Sequence, residues 1–386
     1  MIKQKNELII IPQYFFPTYG GLQNFTYRLY RSLKKFYNGD ITFIVPGPEE
    51  GRETVKQKLD GGIKIIRIGG KRKTFWKKAT KLSKNLNIRK ILIIGLEYET
   101  LIDDQLNLIK ELSNFGKEIF LRIATSKDFF DVIYGREARL KKISNVKKII
   151  AINPEIKKEI NGCNKYNISC RYIPNLLDLQ RFANDSQKKG LVFQKRLGVK
   201  EKEFIALWTG RLDPIKHLED LIDIWNRSKI KGTLFIVGID CYLGKKYLKK
   251  IKKLVENKNI QNIRFIGPFN EKDMPMIYKI ADIFLFTSYR EGFCNSILEA
   301  CCSGMHIICY DVPGTRIVLK YYDPKYFTLI KLGNKKKFIN KLRERYFIWQ
   351  NNKKNEKPSL SSIKKYLSPE TIATQYYETL FGKENE

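Results

Sequence analysis

Two carboxylates, Glu291 and Glu299, stand out in the segment 288–300 because seven residues separate them and a turn lies between them. Asn295 is predicted to cap the helix after the turn, which would direct the free N–H groups of its first turn at an anion such as a phosphate. Glu299 lies one helical turn beyond Asn295 on the same face, where a carboxylate can accept hydrogen bonds from the diol of a ribose. An ordinary capped helix with a surface Glu would show the same pattern.

A second loop, 209–217, contains two cations, Arg211 and Lys216, directly after the apolar run Phe204–Trp208. Gly210 lets the backbone approach a ligand closely. An Arg fork and a Lys point charge together suit a diphosphate without a metal ion. Because basic loop residues are usually solvent-exposed in a chain so rich in Lys, this loop is informative only in combination with the first.

A third loop ends in a Gly pair, Gly20 and Gly21, after the apolar run Leu8–Ile11. A Gly pair at a helix start has the form of an anion site, but this one lacks the Gly-x-Gly-x-x-Gly spacing of dinucleotide sites. The chain also has no Asp-x-Asp motif, no Cys-x-x-Cys spacing among its 7 cysteines and only 2 histidines. The sequence therefore predicts neither a metal site nor a bound cofactor.

Short β-branched runs alternate with helix-period stretches along the chain, and this alternation predicts the elements that position the three loops. Strands are predicted at 8–11, 41–45, 63–68, 91–94, 119–123 and 149–152, and then at 204–208, 233–237, 263–266, 283–286 and 307–309. Apolar strands joined by helices are typical of parallel sheets that are covered on both faces. Two such series predict an α/β fold with domains at 1–180 and 190–365, a hinge at about 174–200 and a C-terminal helix at 366–386.

The excess of positive charge favours an anionic binding partner. The 386 residues include 73 Lys and Arg against 40 Asp and Glu, a net charge of +33. Nucleic acid, anionic lipid and a phosphorylated substrate would each fit, as would a plain compositional bias toward Lys. The 21 Tyr and 23 Phe form no recognisable nucleic-acid-binding module, which leaves nucleic acid as the weaker alternative. No apolar run is long enough to cross a bilayer and no signal-peptide core opens the chain, so a cytoplasmic protein is expected.

Taken together, the loops resemble the retaining nucleotide-sugar glycosyltransferases of family 4 (glycosyl transferases group 1). These have the GT-B fold, in which two Rossmann-like domains place their parallel sheets on either side of a cleft. The resemblance rests on an ordered set of motifs: Gly20-Gly21, the segment Tyr172–Asp178 (like I-P-N-G-V-D), Gly210-Arg211-Leu212 with Lys216 (like G-R-L…K), Phe265-Ile266-Gly267, and Glu291 to Glu299 (E-x7-E) continuing to Gly304.

The resemblance implies a role for each matching position. Catalytic roles fall to Arg211, Lys216 and Glu291, the first two holding the donor diphosphate. Donor binding falls to Gly20, Gly21, Gly210, Gly292, Phe293, Cys294, Asn295 and Glu299, the last on the ribose. The C-terminal helix would cross back to the first domain. Three departures from the family pattern leave the donor sugar open: the first domain has no His, Gln23 replaces an acidic residue, and Cys294 replaces a Gly.

The function implied by the resemblance is transfer of a hexose-type sugar from a nucleoside-diphosphate sugar to an acceptor hydroxyl. Retention of configuration, independence of metals and glycan or polysaccharide assembly on a lipid carrier are implied as well. A GT-B epimerase or a non-catalytic relative stays as an alternative, with nucleic-acid binding in a different class. The helix predicted at 71–86 has an apolar stripe, Phe75, Ala79, Leu82 and Leu86, with lysines around it and Trp76 at its edge. It suits either a core-facing helix or peripheral docking on the inner face of a membrane.

Overall fold

The computed structural model describes residues 7–16, 20–47, 54–59, 63–97, 101–124, 133, 137–162, 166–183, 187–200, 202–239, 246–267, 269–270, 272–351 and 358–382. The chain forms two compact units, and each is treated by itself. Unit 1 comprises Met1–Leu176 with Pro369–Glu386, and unit 2 comprises Leu177–Ser368.

Unit 1 contains a sheet of eight described strands in the order β3-β4-β2-β1-β5-β6-β7-β8. The strands are β1 (Leu8–Pro12), β2 (Ile41–Pro46), β3 (Thr54–Leu59), β4 (Ile63–Ile68), β5 (Lys90–Ile94), β6 (Glu118–Ile123), β7 (Lys148–Ala151) and β8 (Cys170–Tyr172). The pairings are parallel, as predicted, except that of β3 with β4, which is antiparallel. β3 escaped prediction because it is an edge strand with only two apolar residues, Val55 and Leu59, so it lacks the apolar run of the other strands.

The described helices in the first segment of unit 1, Met1–Leu176, are α1 (Gly21–Leu33), α2 (Arg72–Asn85), α3 (Ile102–Asn114), α4 (Glu137–Ile143) and α5 (Pro154–Gly162). Helix α2 is the predicted amphipathic helix, and its apolar side faces the protein core. Phe75 and Ala79 are buried, and Trp76 is fully buried instead of lying at an exposed edge. The indole of Trp76 donates a hydrogen bond to Glu97 Oε1 at 3.1 Å, which keeps the ring inside unit 1.

Unit 2 contains a parallel sheet of six described strands in the order β11-β10-β9-β12-β13-β14. The strands are β9 (Phe204–Arg211), β10 (Gly232–Ile239), β11 (Ile263–Ile266), β12 (Ile283–Phe286), β13 (His306–Tyr310) and β14 (Phe327–Ile330). From β9 the next two strands along the chain, β10 and β11, are added on one side, and β12, β13 and β14 are then added on the other side. The order therefore reverses between β9 and β12, which is the position where open α/β sheets bind ligands.

Helices and two short 3-10 turns connect these strands. The described helices are α6 (Gln180–Ala183), α7 (Gln187–Arg196), α8 (Leu218–Ser228), α9 (Lys246–Asn257), α10 (Met274–Lys279), α11 (Asn295–Cys302), α12 (Pro313–Leu319), α13 (Lys335–Gln350) and α14 (Ser361–Leu367), and the turns are Pro214–Lys216 and Pro324–Tyr326. Helix α7 lies within the predicted hinge. The segment 335–337 looks loop-like in sequence but begins α13, because Asn334 accepts a hydrogen bond from the Lys337 amide at 3.0 Å and caps the helix.

The last helix, α15 (Pro369–Phe381), belongs to unit 1 and packs on α1. The Phe381 ring stacks on Tyr37 with centroids 4.7 Å apart, and Tyr376 lies in the core beside Phe25. Unit 1 therefore takes part of its core from the distant end of the chain. Among the described helices of both units, none is long and apolar enough to cross a bilayer.

Candidate functional site

The loops after β9 and β12 are joined at the point where the strand order of unit 2 reverses. The Tyr289 amide donates to the Ile215 carbonyl at 3.0 Å, and Ser288 Oγ donates to the same oxygen at 3.2 Å. Thr287 Oγ1 lies 3.2 Å from the Lys216 carbonyl and 3.1 Å from the His217 carbonyl. Three consecutive residues of one loop therefore hold three consecutive carbonyls of the other.

This pairing brings together two of the predicted site residues, Lys216 and Glu291. Lys216 Nζ forms an ion pair with Glu291 Oε1, and the two side chains are 13% and 11% exposed. The ammonium also lies 5.5 Å from the centre of the Phe286 ring, at the end of β12. A cation so oriented and so little hydrated is well suited to meet charge on a phosphate, because its geometry is fixed before the ligand arrives.

Gly314, at the start of α12, is a site residue that the sequence did not reveal. Its amide donates to the Glu291 carbonyl at 3.1 Å. A Cβ at this position would lie 2.5 Å from the Glu291 Cβ and 2.7 Å from the Glu291 carbonyl oxygen. No side chain fits in that space, so the absence of one at residue 314 is what lets the Glu291 turn approach α12.

Glu299 is held at the same edge of the sheet by a buried tyrosine. Tyr278 donates to Glu299 Oε2 at 2.9 Å, and its oxygen lies 2.6 Å from Thr209 Oγ1 near the end of β9. Burial and the Glu299 charge raise the pKa of Tyr278 well above its usual value, so the phenol stays a donor. Tyr278 is not conspicuous in sequence, and Thr209 opens the loop 209–217 without any local sign that it contacts Tyr278.

The turn before α11 differs from the sequence prediction at one residue. Cys294, not Asn295, is the N-cap, because the Cys294 carbonyl accepts the first helical hydrogen bond from the Leu298 amide at 3.0 Å. Asn295 is the first residue of the helix. Burial raises the pKa of the Cys294 thiol, which keeps it protonated and unreactive. Gly292 and Phe293 are also buried in this turn.

Arg211 is the last residue of β9 and is half-buried. Gly210 beside it is close-packed rather than open: Gly238 of β10 pairs with it, and a Cβ on Gly238 would lie 2.1 Å from the Gly210 carbonyl oxygen. Gly20 and Gly21 belong to unit 1, where Gly20 precedes α1 and Gly21 begins it. Their role toward a diphosphate stays a prediction.

Asp220, in the first turn of α8, is a buried carboxylate that holds Tyr289 of the loop after β12 in place. It accepts hydrogen bonds from the Tyr289 hydroxyl at 3.0 Å and the Tyr310 hydroxyl at 2.8 Å, and it forms an ion pair with Lys335 at 2.8 Å. Burial opposes ionisation, but these donors outweigh it and lower the pKa of Asp220. The buried carboxylate therefore stays charged and fixes Tyr289.

Unit 1 has its own polar cluster where its strand order reverses, between β1 and β5. Glu97 is 1% exposed and accepts from Arg72, from the Trp76 indole and from Gln13 Nε2, the last at 3.3 Å. Its amide donates to Gln105 Oε1 at 2.8 Å. Arg72 also donates to the Gln13 carbonyl, so this cluster anchors the start of the loop that leads to Gly20.

Comparison with known proteins bears most directly on the residues of unit 2. Residues 192–357 match the family model of glycosyl transferases group 1. The matched segment is less than half of the chain and is similar to that family. The matched segment contains Arg211, Lys216, Glu291 and Glu299, together with the side chains of unit 2 that support them.

Known structures extend the likeness to the whole fold. Sucrose-phosphate synthase from Thermosynechococcus elongatus superposes with a TM-score of 0.77 at 16% identity, over 97% of this chain and 98% of that one. Anabaena HepE in complex with UDP-glucose gives a TM-score of 0.73 at 14% identity, over 97% and 99%. The two parallel-sheet α/β units therefore have the GT-B fold, as predicted.

Curated sequence relatives include enzymes that match less than half of this chain. UDP-Gal:alpha-D-GlcNAc-diphosphoundecaprenol alpha-1,3-galactosyltransferase of Escherichia coli is 29% identical over 174 residues, which are 44% of this chain and 43% of that enzyme. Across three curated relatives matched over 174 to 179 residues, the chain spans less than half of their length.

Proposed function

We propose that the protein is a glycosyltransferase that moves a sugar from a nucleoside-diphosphate sugar to an acceptor hydroxyl. The Lys216–Glu291 pair carries this proposal. It lies where the strand order of unit 2 reverses, within the segment that matches the group 1 model, and the ion pair fixes the orientation of the Lys216 ammonium. Lys216 and Arg211 would hold the diphosphate, Glu291 the donor sugar, and Glu299 the ribose diol. The structural neighbour Anabaena HepE, solved in complex with UDP and with UDP-glucose, supports this class of donor.

The chemical demand in such a reaction is the departure of a nucleoside diphosphate as the anomeric bond breaks. Preorganised positive charge lowers that barrier, and Lys216, Arg211 and the amide groups at the start of α11 supply it. As the resemblance to the retaining family 4 enzymes implies, we propose front-face transfer with retention and without a covalent intermediate. Because two protein cations serve the diphosphate, we also propose that no divalent ion is required.

A thermal-shift series tests the donor class and the metal together. UDP-, GDP- and ADP-glucose, each with and without EDTA, are compared at increasing concentration. We expect one nucleotide series to raise the unfolding temperature through binding to the folded state, equally with and without EDTA. A shift that EDTA abolishes and Mg²⁺ restores would contradict metal independence, and the lack of any shift in all three series would contradict the donor site.

We further propose a glycan or lipid-linked acceptor at an anionic membrane surface. Lys73, Lys77, Lys78 and Lys81 form an exposed cationic side of α2. Phe115, at the end of α3, is 57% exposed and lies 5.9 Å from Lys84 and 5.9 Å from Lys117. Because the aromatic residues of α2 itself are buried, attraction would depend on charge with Phe115 as the apolar contact. The Escherichia coli relative, whose name includes a diphosphoundecaprenol acceptor, supports this class.

Vesicle co-sedimentation tests the membrane proposal. The wild-type protein should bind vesicles that contain anionic lipid, release as salt rises, and lose at least about tenfold in affinity when Lys73, Lys77, Lys78 and Lys81 become Glu. The matched control changes four exposed lysines of unit 2, Lys246, Lys249, Lys253 and Lys258, to Glu with the same change in net charge. Equal losses in the two variants would indicate a response to net charge and contradict a docking surface on α2.

A further inference from the structure

His217 adopts a backbone conformation that is unfavourable for a residue with a Cβ. Its φ and ψ are 52° and 51°, in the left-handed region. Among the described residues, Asn167, Lys229 and Asn259 are the other non-Gly residues with positive φ, and none of them adjoins a site residue as His217 adjoins Lys216. A strained conformation next to a candidate site is a reason to ask what the side chain does there.

The imidazole of His217 stacks on the ring of Tyr289. The ring centroids are 3.7 Å apart and the planes are inclined by 10°. Tyr289 is fixed at both ends, because its amide donates to the Ile215 carbonyl and its hydroxyl donates to Asp220. His217 Nδ1 lies 3.5 Å from the same carboxylate, which Lys335 also contacts. The stack therefore joins the Lys216 turn to a rigid support.

We propose that His217 and Tyr289 are positioning residues for the donor site, and that their stacked rings hold Lys216 opposite Glu291. This inference rests on the proposed function. His217 directly follows Lys216, and Tyr289 lies two residues before Glu291, so the stack fixes the relative tilt of the two turns that carry the ion pair. A Gly at residue 217 would adopt the same φ without strain, but it would offer no ring to Tyr289.

Replacement of His217 separates positioning from stability. His217→Gly removes the strain and the stack, and we expect it to unfold at the same urea concentration as wild type or a higher one while turnover falls about tenfold to a hundredfold. His217→Phe restores a ring but keeps the strained backbone, so it should be the less stable of the two and the more active. A merely structural role would rank the two variants in the same order for stability and turnover, and that result would overturn the proposal.

Tyr289 provides a matched pair of variants on the other side of the stack. Tyr289→Phe keeps the ring and loses the hydrogen bond to Asp220, whereas Tyr289→Leu loses both. With UDP-glucose as the probe, or whichever of GDP- and ADP-glucose gives the larger thermal shift, kcat should fall at least about fivefold further for Leu than for Phe. Equal values of kcat for the two variants would overturn the stack as the positioning element.

The positioning role of the His217–Tyr289 stack can also be tested by stability alone. If no sugar nucleotide reacts, the proposed function fails, but this test of the stack still applies. Lys216→Met, Glu291→Gln and their combination are made in the wild-type chain and in Tyr289→Leu, and urea midpoints are measured. Non-additivity of the two changes reports how well the pair is held. We expect this non-additivity to be smaller by at least about half in the Tyr289→Leu background than in the wild-type chain. Equal non-additivity in both backgrounds would overturn the proposal.

Discussion

Lys216→Ala should lower turnover by about 10²–10³-fold while the protein stays folded, because the substitution removes a preorganised donor to the charge that develops on the leaving diphosphate. Lys216 has one described ionic partner, Glu291, and both are little exposed. Loss of the ammonium also leaves Glu291 without its cation, so the donor site would become more repulsive to a phosphate. Initial rates at saturating and limiting donor measure the effect.

Arg211→Ala should behave similarly, and the double variant should lose less than the product of the two single effects, because both cations would serve one diphosphate. Lys253→Ala, at an exposed position on α9 in the same unit, is the matched control and should leave turnover within about twofold. Wild-type turnover in both single variants, with urea midpoints also unchanged, would be incompatible with the assigned roles.

Of the substitutions proposed here, Glu97→Gln should lower the free energy of unfolding most, by about 3–5 kcal/mol, because it leaves the buried guanidinium of Arg72 without its counter-charge. Glu97 is buried and accepts from Arg72, Trp76 and Gln13, so few solvent molecules can replace the lost interaction. The combined variant Arg72→Met with Glu97→Leu should recover much of the loss, since an apolar pair needs no counter-charge. Urea unfolding of the whole chain gives the free energy of unfolding of the wild type, of Glu97→Gln and of the combined variant.

Unit 1 also offers a control ion pair at its surface. Lys35 and Glu370 form an ion pair with side chains that are 61% and 59% exposed, and Glu370→Gln should change stability by no more than about 1 kcal/mol. A similar loss for Glu370→Gln and Glu97→Gln would mean that burial does not set the cost. The cluster at Glu97 would then not anchor the loop toward Gly20 in the way described.

The strands and the loops that follow them were predictable because apolar runs bounded by turn residues encode a parallel sheet locally. Lys216 and Glu291, 75 positions apart, could be assigned to one site because parallel strands present their carboxyl ends at a common edge. Strand β3 was missed because its mostly polar sequence belongs to a sheet edge, and its pairing with β4 cannot be read from the local sequence. The N-cap was misplaced by one residue because the chain path, rather than Asn chemistry, sets where α11 begins.

The supporting side chains could not be predicted because their roles exist only in three dimensions. Trp76 looks like the edge of a surface helix until Glu97, on another loop, accepts its N–H. Nothing in the sequence distinguishes Gly314, but in the structure Glu291 occupies the space that a side chain at residue 314 would need. Asp220 becomes a fixed anion through two tyrosines and a lysine from three different elements. Each depends on a long-range contact that no local pattern contains.

Direct observation of sugar transfer tests the central proposal most sharply. The wild-type chain and Lys216→Ala are incubated with the sugar nucleotide that gives the largest thermal shift, with EDTA present, and proton NMR follows the anomeric signals. The proposal predicts release of the nucleoside diphosphate, with the sugar transferred to added acceptor or slowly to water in the original anomeric configuration, and about 10²–10³-fold slower release by Lys216→Ala. Interconversion of epimers without release, or equal release by the two proteins, would contradict it.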